Sequence, residues 1–149
     1  MKIIVDTREQ TPFTFQGYPE VEVIAGSLSA GDYSLAGLET IVAIERKSLP
    51  DLVQCLGRER ERFERELERL RGYEAASVVV ESPLADLVAG NCRSALNPKA
   101  AYESVVAFMA RHRISFYFAT NRRGAERFTY SFLRHFKNTV ERRYKAVAV

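Results

Sequence analysis

Apolar positions along the 149-residue chain change their period several times, and each change marks an element. Ile3-Ile4-Val5 is a short apolar strand that runs into Asp6, Arg8 and Glu9. The segment from Gly31 to Gly37, GDYSLAG, predicts the first strand of a hairpin with its turn near Gly37. The β-branched run Ile41-Val42-Ala43-Ile44 predicts the second, a buried strand ending at Glu45. From Leu52 to Arg71 the period becomes helical, as one long helix or as two broken near Gly57, with Gly72-Tyr73 closing it through a glycine cap. Ala76 to Glu81, with Val78-Val79-Val80 inside it, reads as another buried strand. Pro83 to Ala89 reads as a short helix stopped by Gly90, and Asn91 to Pro98 as a loop. Between Lys99 and His112 the positions Ala101, Val105, Phe108 and Met109 share one helical face. Ile114 to Ala119 returns to a strand pattern, Asn121 to Gly124 turns, and a terminal helix is predicted from Ala125 to about Tyr144.

Strands separated by helices of this length predict an α/β domain with helices on both faces of a mixed sheet. No repeat or low-complexity linker interrupts the pattern, so residues 1–149 are expected to form one domain around one substantial core. The 46% hydrophobic and 28% charged content is that of an ordinary soluble globular protein. A net charge of +3 permits an anionic partner without requiring one. Cys55 and Cys92 lack CxxC spacing and predict free thiols in a reducing compartment. No apolar run approaches the roughly 20 residues that cross a bilayer, and the N-terminus leads straight into a strand. A cytoplasmic location with no membrane partner is expected.

Candidate chemistry gathers around the hairpin. Side chains alternate across a strand, so Glu45 and Lys47 share one side and Arg46 takes the other. The hairpin would bring Asp32 close to Glu45. Hard carboxylate oxygens suit Mg²⁺ or Mn²⁺, which keep several waters and take further ligands from a substrate phosphate. A lysine beside such a cation can orient or help deprotonate an attacking water, so the group of residues suits phosphodiester hydrolysis. The competing reading is a surface Glu45–Lys47 salt bridge with Asp32 as a turn residue, because an acid-x-lysine triplet is common by chance.

The wider pattern is more specific than the triplet. Asp6, Arg8 and Glu9 form a D-x-R-E, Gly31-Asp32 a GD, and Glu45-Arg46-Lys47 an ERK followed by Asp51. This set resembles the nuclease domain of the XPF family of structure-specific DNA endonucleases, which includes archaeal Hef, and the resemblance runs from Ile3 to about His135. It implies a restriction-endonuclease-like, three-layer fold, a central mixed β-sheet flanked by helices, with a divalent metal, Mg²⁺ or Mn²⁺, at the strand ends. Carried over residue by residue, Asp32 and Glu45 would be metal ligands with Asp6 as a third acid. Lys47 would activate water or stabilise phosphate, and Arg46 and Arg8 would contact phosphates or brace the acids. Glu9 would support the site. Asp51 follows Pro50 at the start of a helix, where unpaired amides favour an acid, so a structural role for it competes with a catalytic one.

Residues 58 to 71, RERERFERELERLR, place Phe63, Leu67 and Leu70 on a core-facing stripe. The other charges there form a solvated, paired face or, at Arg58, Arg60 and Arg62, reach phosphate near the cleft. Phe116, Tyr117, Phe118, Phe128, Tyr130, Phe132 and Phe136 follow strand and helix periods and predict core or interface. His112 and His135 have no metal-ligand spacing and are assigned no chemistry. In the resembling family the last helices often pair subunits, which predicts a homodimer through the C-terminal helix carrying Phe128, Phe132 and Phe136. The sequence holds no helicase or tandem helix-hairpin-helix module, so a DNA substrate, branched or flap, would be chosen with less help or through a helicase or DNA-binding partner. The working expectation is a metal-dependent DNA endonuclease acting in repair or recombination. Its alternatives are a non-catalytic DNA-binding or dimerisation module and a junction resolvase-like nuclease.

Overall fold

Two hydrophobic cores grow from the alternation along one strand. In β4 (Val42–Lys47), Val42 and Ile44 point into one core and Ala43 into the other. The computed structural model describes residues 1–90 and 96–148, so Cys92 and most of the expected loop from Asn91 lie outside the described residues. β1 (Lys2–Asp6), β2 (Glu22–Gly26), β3 (Tyr33–Leu35), β4, β5 (Ala75–Val80) and β6 (Ser115–Phe118) form one sheet in the order β2-β1-β3-β4-β5-β6. β3 is antiparallel to both β1 and β4, while the pairs β1–β2, β4–β5 and β5–β6 are parallel, so the sheet is mixed as expected.

Helices α1 (Leu49–Leu56), α2 (Arg60–Arg71), α3 (Leu84–Ala89) and α4 (Pro98–His112) build the core that contains Ala43, Val78 and Val80. The long α5 (Arg122–Val147) packs on the other face over Ile3, Val5, Tyr33, Ile44 and Val79. Phe13 and Phe15 plug this second core, with Phe13 stacked on Tyr33 at 5.0 Å between ring centroids. Each fully buried Leu or Phe in these layers contributes on the order of 2 kcal/mol.

Several elements differ from the sequence expectation. The helical stretch after β4 is two helices broken at Gly57, and the first begins at Leu49 because the Ser48 side chain accepts the Asp51 N–H. β2 forms where the sequence pattern predicted no element. Most of its residues are exposed, so it carries little hydrophobic alternation and owes its existence to parallel pairing with β1. On α4 the buried stripe is Ala101, Val105, Phe108 and His112, whereas Met109 is exposed. α5 starts at Arg122 because the Asn121 side chain caps it by accepting the Gly124 N–H. Its deepest stripe is Ala125, Thr129, Tyr130 and Leu133, leaving Phe128, Phe132 and Phe136 half-buried at the margin.

Candidate active site

The hairpin register decides where the acids meet. Tyr33 of β3 pairs with Ile44 of β4, and one step beyond that pair Asp32 reaches Glu45, where the two carboxyl groups lie close enough to shift each other's protonation. Gly31 makes the turn possible: its φ is +78°, and a Cβ there would lie 2.8 Å from the Ala43 Cβ. The Asp32 N–H donates to Ile44 O at 2.8 Å, its carbonyl accepts from the Asp6 N–H at 2.9 Å, and its Oδ2 accepts from the Arg46 N–H at 2.8 Å. These bonds fix Asp32 by its backbone and its side chain together.

An open cleft of about 410 Å³ lies over the ends of β1 and β4, against α1 and α2. Asp6, Arg8, Gly31, Asp32, Glu45 and Lys47 line it, with Asp51, Cys55 and Arg62 farther round. Burial pushes Asp32 up to about 6, with the charge of Glu9 adding to the effect and the Arg46 N–H opposing it. Burial also raises Glu45 well above the usual carboxylate range, and the neighbouring Asp32 raises it further. Two buried carboxyls in contact resist full ionisation unless a cation joins them. Lys47 Nζ lies 3.4 Å from Glu45 Oε1 and 5.5 Å from the centre of the Phe63 ring. Burial pulls the Lys47 ammonium down, but Glu45, Cys55 and Asp32 outweigh it and the net shift is upward, so Lys47 is a fixed positive charge.

Asp6 lines the same cleft with its acceptor capacity taken. Its Oδ1 accepts from the Arg8 backbone N–H at 2.8 Å and from Arg8 Nε at 2.9 Å. Its Oδ2 accepts from the Leu28 N–H at 2.8 Å and Arg8 Nη2 at 3.1 Å. The Arg8 hydrogen bond holds the Asp6 carboxyl below its ordinary range against its burial. Arg8 also donates to Leu28 O, yet its side chain is 74% exposed at the rim. Among the described residues no three His, Cys, Asp or Glu side chains stand together as a metal-binding group.

Arg46 points to the opposite face of the sheet, as strand alternation requires. Its guanidinium grips Glu9 through Nε at 2.8 Å and Nη2 at 2.7 Å, and reaches Glu81 at 3.0 Å and Thr11 at 2.9 Å. Arg122 joins the same Glu81 at 2.7 Å. Burial raises Glu9, but Arg46 more than offsets it and the net shift is downward. Arg46 and Glu9 therefore tie β4 to the segment after β1, outside the cleft. Of Arg58, Arg60 and Arg62 only Arg62 lines the cleft, with its side chain 81% exposed beside Glu59. Arg60 donates to Ser104 Oγ and Leu56 O and lies 4.6 Å from the Phe108 ring centre, so it staples α2 to α4. Arg58 lies exposed in the turn between α1 and α2 and does not line the cleft. Asp51 lines it from the first turn of α1, where its N–H donates to Ser48 Oγ at 3.2 Å.

Gln54, Glu59, Glu66 and Arg69 line the cleft and escaped the sequence reading, and Glu66 reaches deepest into the site. Glu66 accepts the Gly31 N–H at 3.0 Å and lies close enough to Glu45 for the two carboxyls to interact. The available signal was its place on α2 between Phe63 and Leu70, which puts an acid on the core-facing stripe.

The sequence model of the ERCC4 domain matches residues 5–132. The chain belongs to the ERCC4 domain family. Every cleft acid named above falls within the matched span of this ERCC4 domain. The fold is similar to that of XPF from Aeropyrum pernix, with a TM-score of 0.73 at 23% identity over 90% of this chain and 60% of that chain. A second structure, of XPF from Aeropyrum pernix in complex with DNA, matches with a TM-score of 0.68 at 23% identity over 93% of this chain and 66% of that one. The ERCC4 domain thus spans less than two thirds of either chain, and the two agree with it in fold, the restriction-endonuclease-like arrangement of a mixed sheet between helices. No curated protein matches the sequence.

Proposed function

We propose that this ERCC4 domain hydrolyses phosphodiester bonds in DNA with the help of Mg²⁺ or Mn²⁺, working as one nuclease domain on branched, flap or fork DNA in repair or recombination. The observation that carries the reading is the convergence of Asp32, Glu45 and Lys47 in one cleft, with the two carboxyls in contact and the ammonium 3.4 Å from one of them. A pair of buried acids beside a lysine is costly to maintain and repays its cost when a cation and a phosphate enter.

The donor set fits a small hard cation. Asp32 and Glu45 would hold it, two carboxylates being the usual protein share for Mg²⁺ with water and phosphate oxygens supplying the rest. Bound there, the cation would supply Lewis acidity, neutralising phosphate charge and easing deprotonation of the attacking water. Asp6, with both oxygens engaged, keeps Arg8 and the Leu28 turn in place rather than donating to the metal. Lys47 stays charged through its ion pair with Glu45 and stabilises the negative charge that builds on the phosphate. Arg8 and Arg62, exposed at the rim, contact neighbouring phosphates, and Arg46 holds the scaffold from the far side. Asp51 shapes the wall of the cleft.

DNA as partner is supported by the DNA complex of the structurally similar XPF from Aeropyrum pernix. A homodimer is supported by the apolar margin of α5, where Tyr117 is 47% exposed and stacks on Phe128 at 4.1 Å, with Phe132 alongside. A helicase or DNA-binding partner would supply the substrate choice that the cleft itself does not encode. No helix of the described residues is long and apolar enough to cross a membrane. A cytoplasmic location is supported by the free, buried thiol of Cys55.

The test is incubation of the purified protein with flap, fork, junction and linear DNA in Mg²⁺, Mn²⁺ or chelator, alongside Asp32→Asn and Lys47→Ala. Metal-dependent cleavage lost in both variants is expected. Binding without cleavage on every substrate would show an inert module, and cleavage surviving both substitutions would place the chemistry elsewhere.

A further inference from the structure

Glu66 sits where the helical layer touches the acid-bearing turn. Its Oε1 accepts the Gly31 N–H at 3.0 Å, and its Oε2 is held by Arg69 Nε at 3.2 Å and Nη2 at 2.5 Å. Gly31 is buried and wedged against β4, so its N–H needs a partner in the fold. The partner comes from α2, which is 35 residues away in sequence. Asp32, the next residue, is tied to β4 and β1 by its own backbone, and the Glu66 bond closes the remaining side of the turn. Glu66 also lies near enough to Glu45 to interact with its carboxyl, so it bears on both members of the acid pair, on Asp32 through the neighbouring Gly31 amide.

We infer that Glu66 is a positioning residue of the cleft: by accepting the Gly31 N–H it locks the Gly31–Asp32 turn onto α2 and holds the Asp32–Glu45 pair at the spacing a divalent cation needs. The inference rests on the metal-dependent reading above and adds to it a residue outside the signature segments. The acceptor oxygen performs the task, and the negative charge is secondary. Outer partners that orient ligands in this way commonly control metal affinity by about 10- to 100-fold.

Glu66→Gln and Glu66→Ala separate the two properties, since glutamine keeps an acceptor oxygen and loses the charge. Three measurements apply to the whole chain: Mn²⁺ affinity by calorimetry without DNA, hydrogen exchange of the Gly31 amide, and metal-dependent cleavage. Glu66→Ala is expected to weaken Mn²⁺ binding by about 10-fold or more and to expose the Gly31 amide to exchange, with matching loss of cleavage. Glu66→Gln is expected to restore both affinity and protection to within a few-fold of the wild type. Arg69→Ala, which frees only Oε2, is expected to give a smaller effect in the same direction and guards against misfolding of the alanine variant. Equal loss in Gln and Ala variants would overturn the inference by making Glu66 a charged ligand. Wild-type affinity and protection in Glu66→Ala would overturn it by removing the lock. Failure of the underlying reading has a different signature: the wild type itself would bind no divalent cation and Asp32→Asn would change nothing, while the Gly31 exchange result would still report whether the lock exists.

Discussion

Asp32 and Glu45 meet as neighbouring carboxyls across the β3–β4 hairpin, one step beyond the Tyr33–Ile44 pair, and burial drives both toward their neutral forms. In the unfolded chain Asp32 loses its proton near 3.8, whereas in the fold it keeps it to about 6, and Glu45 is raised as well. Between those limits this pair binds more protons in the folded state than in the unfolded state, so its contribution to the stability of the metal-free protein falls as pH rises, while carboxyls held low, such as Asp6, Glu9 and Glu66, act in the opposite sense at the acid end. Thermal unfolding in chelator is expected to show a wild-type melting temperature that falls relative to that of Asp32→Asn from pH 5 toward pH 7, at roughly 3 °C per kcal/mol for a chain of this size. Mg²⁺ favours the doubly ionised pair and should raise the melting temperature more at pH 8 than at pH 5. Asp32→Asn should flatten the response to Mg²⁺. A melting temperature that climbs with pH between 5 and 7 as steeply in the wild type as in Asp32→Asn would contradict the arrangement.

Gly31 and Gly37 both have positive φ, +78° and +85°, but only Gly31 faces a wall. At Gly37 nothing lies within 4 Å of an added Cβ, so Gly37→Ala should cost only the backbone preference, about 1 kcal/mol. At Gly31 the added carbon meets the Ala43 Cβ at 2.8 Å and Ile44 O at 3.2 Å, which adds about 1–3 kcal/mol of overpacking. Denaturant titration of the two variants should therefore separate them clearly, and only Gly31→Ala should lose cleavage, because the displaced turn carries Asp32.

Arg46 and Arg62 stand for two different uses of arginine. Arg46 is 10% exposed and holds Glu9 and Glu81, so Arg46→Ala leaves Glu9 without its partner and Glu81 with Arg122 alone, and should destabilise the fold by about 3–5 kcal/mol. Arg46→Lys should recover only part of that, since a lysine cannot hold Glu9 with two parallel bonds. Arg62 is 81% exposed at the cleft, and Arg62→Ala should leave the melting temperature unchanged while weakening DNA binding and reducing its salt slope by about 1. Chemical denaturation and salt-dependent DNA binding on the same pair of variants check both statements. Wild-type stability in Arg46→Ala would refute the brace.

How far the sequence foretold the site follows from how local each feature is. The side of β4 on which Glu45 and Lys47 lie, and Arg46 does not, is a period-two fact and was legible. So was the approach of Asp32, because a hairpin joins it to β4 within a few residues. Glu66 depends on how α2 docks against the Gly31 turn, which no local period encodes. The same limit applies to Arg60, whose partner Ser104 lies on α4. His112 was assigned no chemistry, yet it is 4% exposed on α4 and satisfied by Glu68 and Glu64, whereas the apolar Met109 is 38% exposed. A polar residue buried with partners and an apolar one left outside reverse the hydrophobic pattern, so the helix face was misjudged by one position. β2 was missed for a related reason: an edge strand that buries little has little pattern to read.

Lys47 tests whether the cleft uses a cation or a base. Glu45, Cys55 and Asp32 outweigh burial and raise its pKa, so the amine is protonated throughout the neutral range and cannot accept a proton from water there. Its contribution is then charge placed beside the phosphate, of a kind whose removal typically costs about 100- to 1,000-fold in kcat. Lys47→Met should lose kcat on that scale with KM for DNA changed little. Stability should shift by only a few tenths of a kcal/mol to about 1 kcal/mol, because Glu45 loses its ion pair but can hold a proton shared with Asp32. Raising the pH from 8 toward 10 in the wild type should not increase kcat, since deprotonation would remove the charge that matters. A rate that rises with deprotonation in that range, and a Lys47→Met variant insensitive to it, would instead identify the amine as the general base.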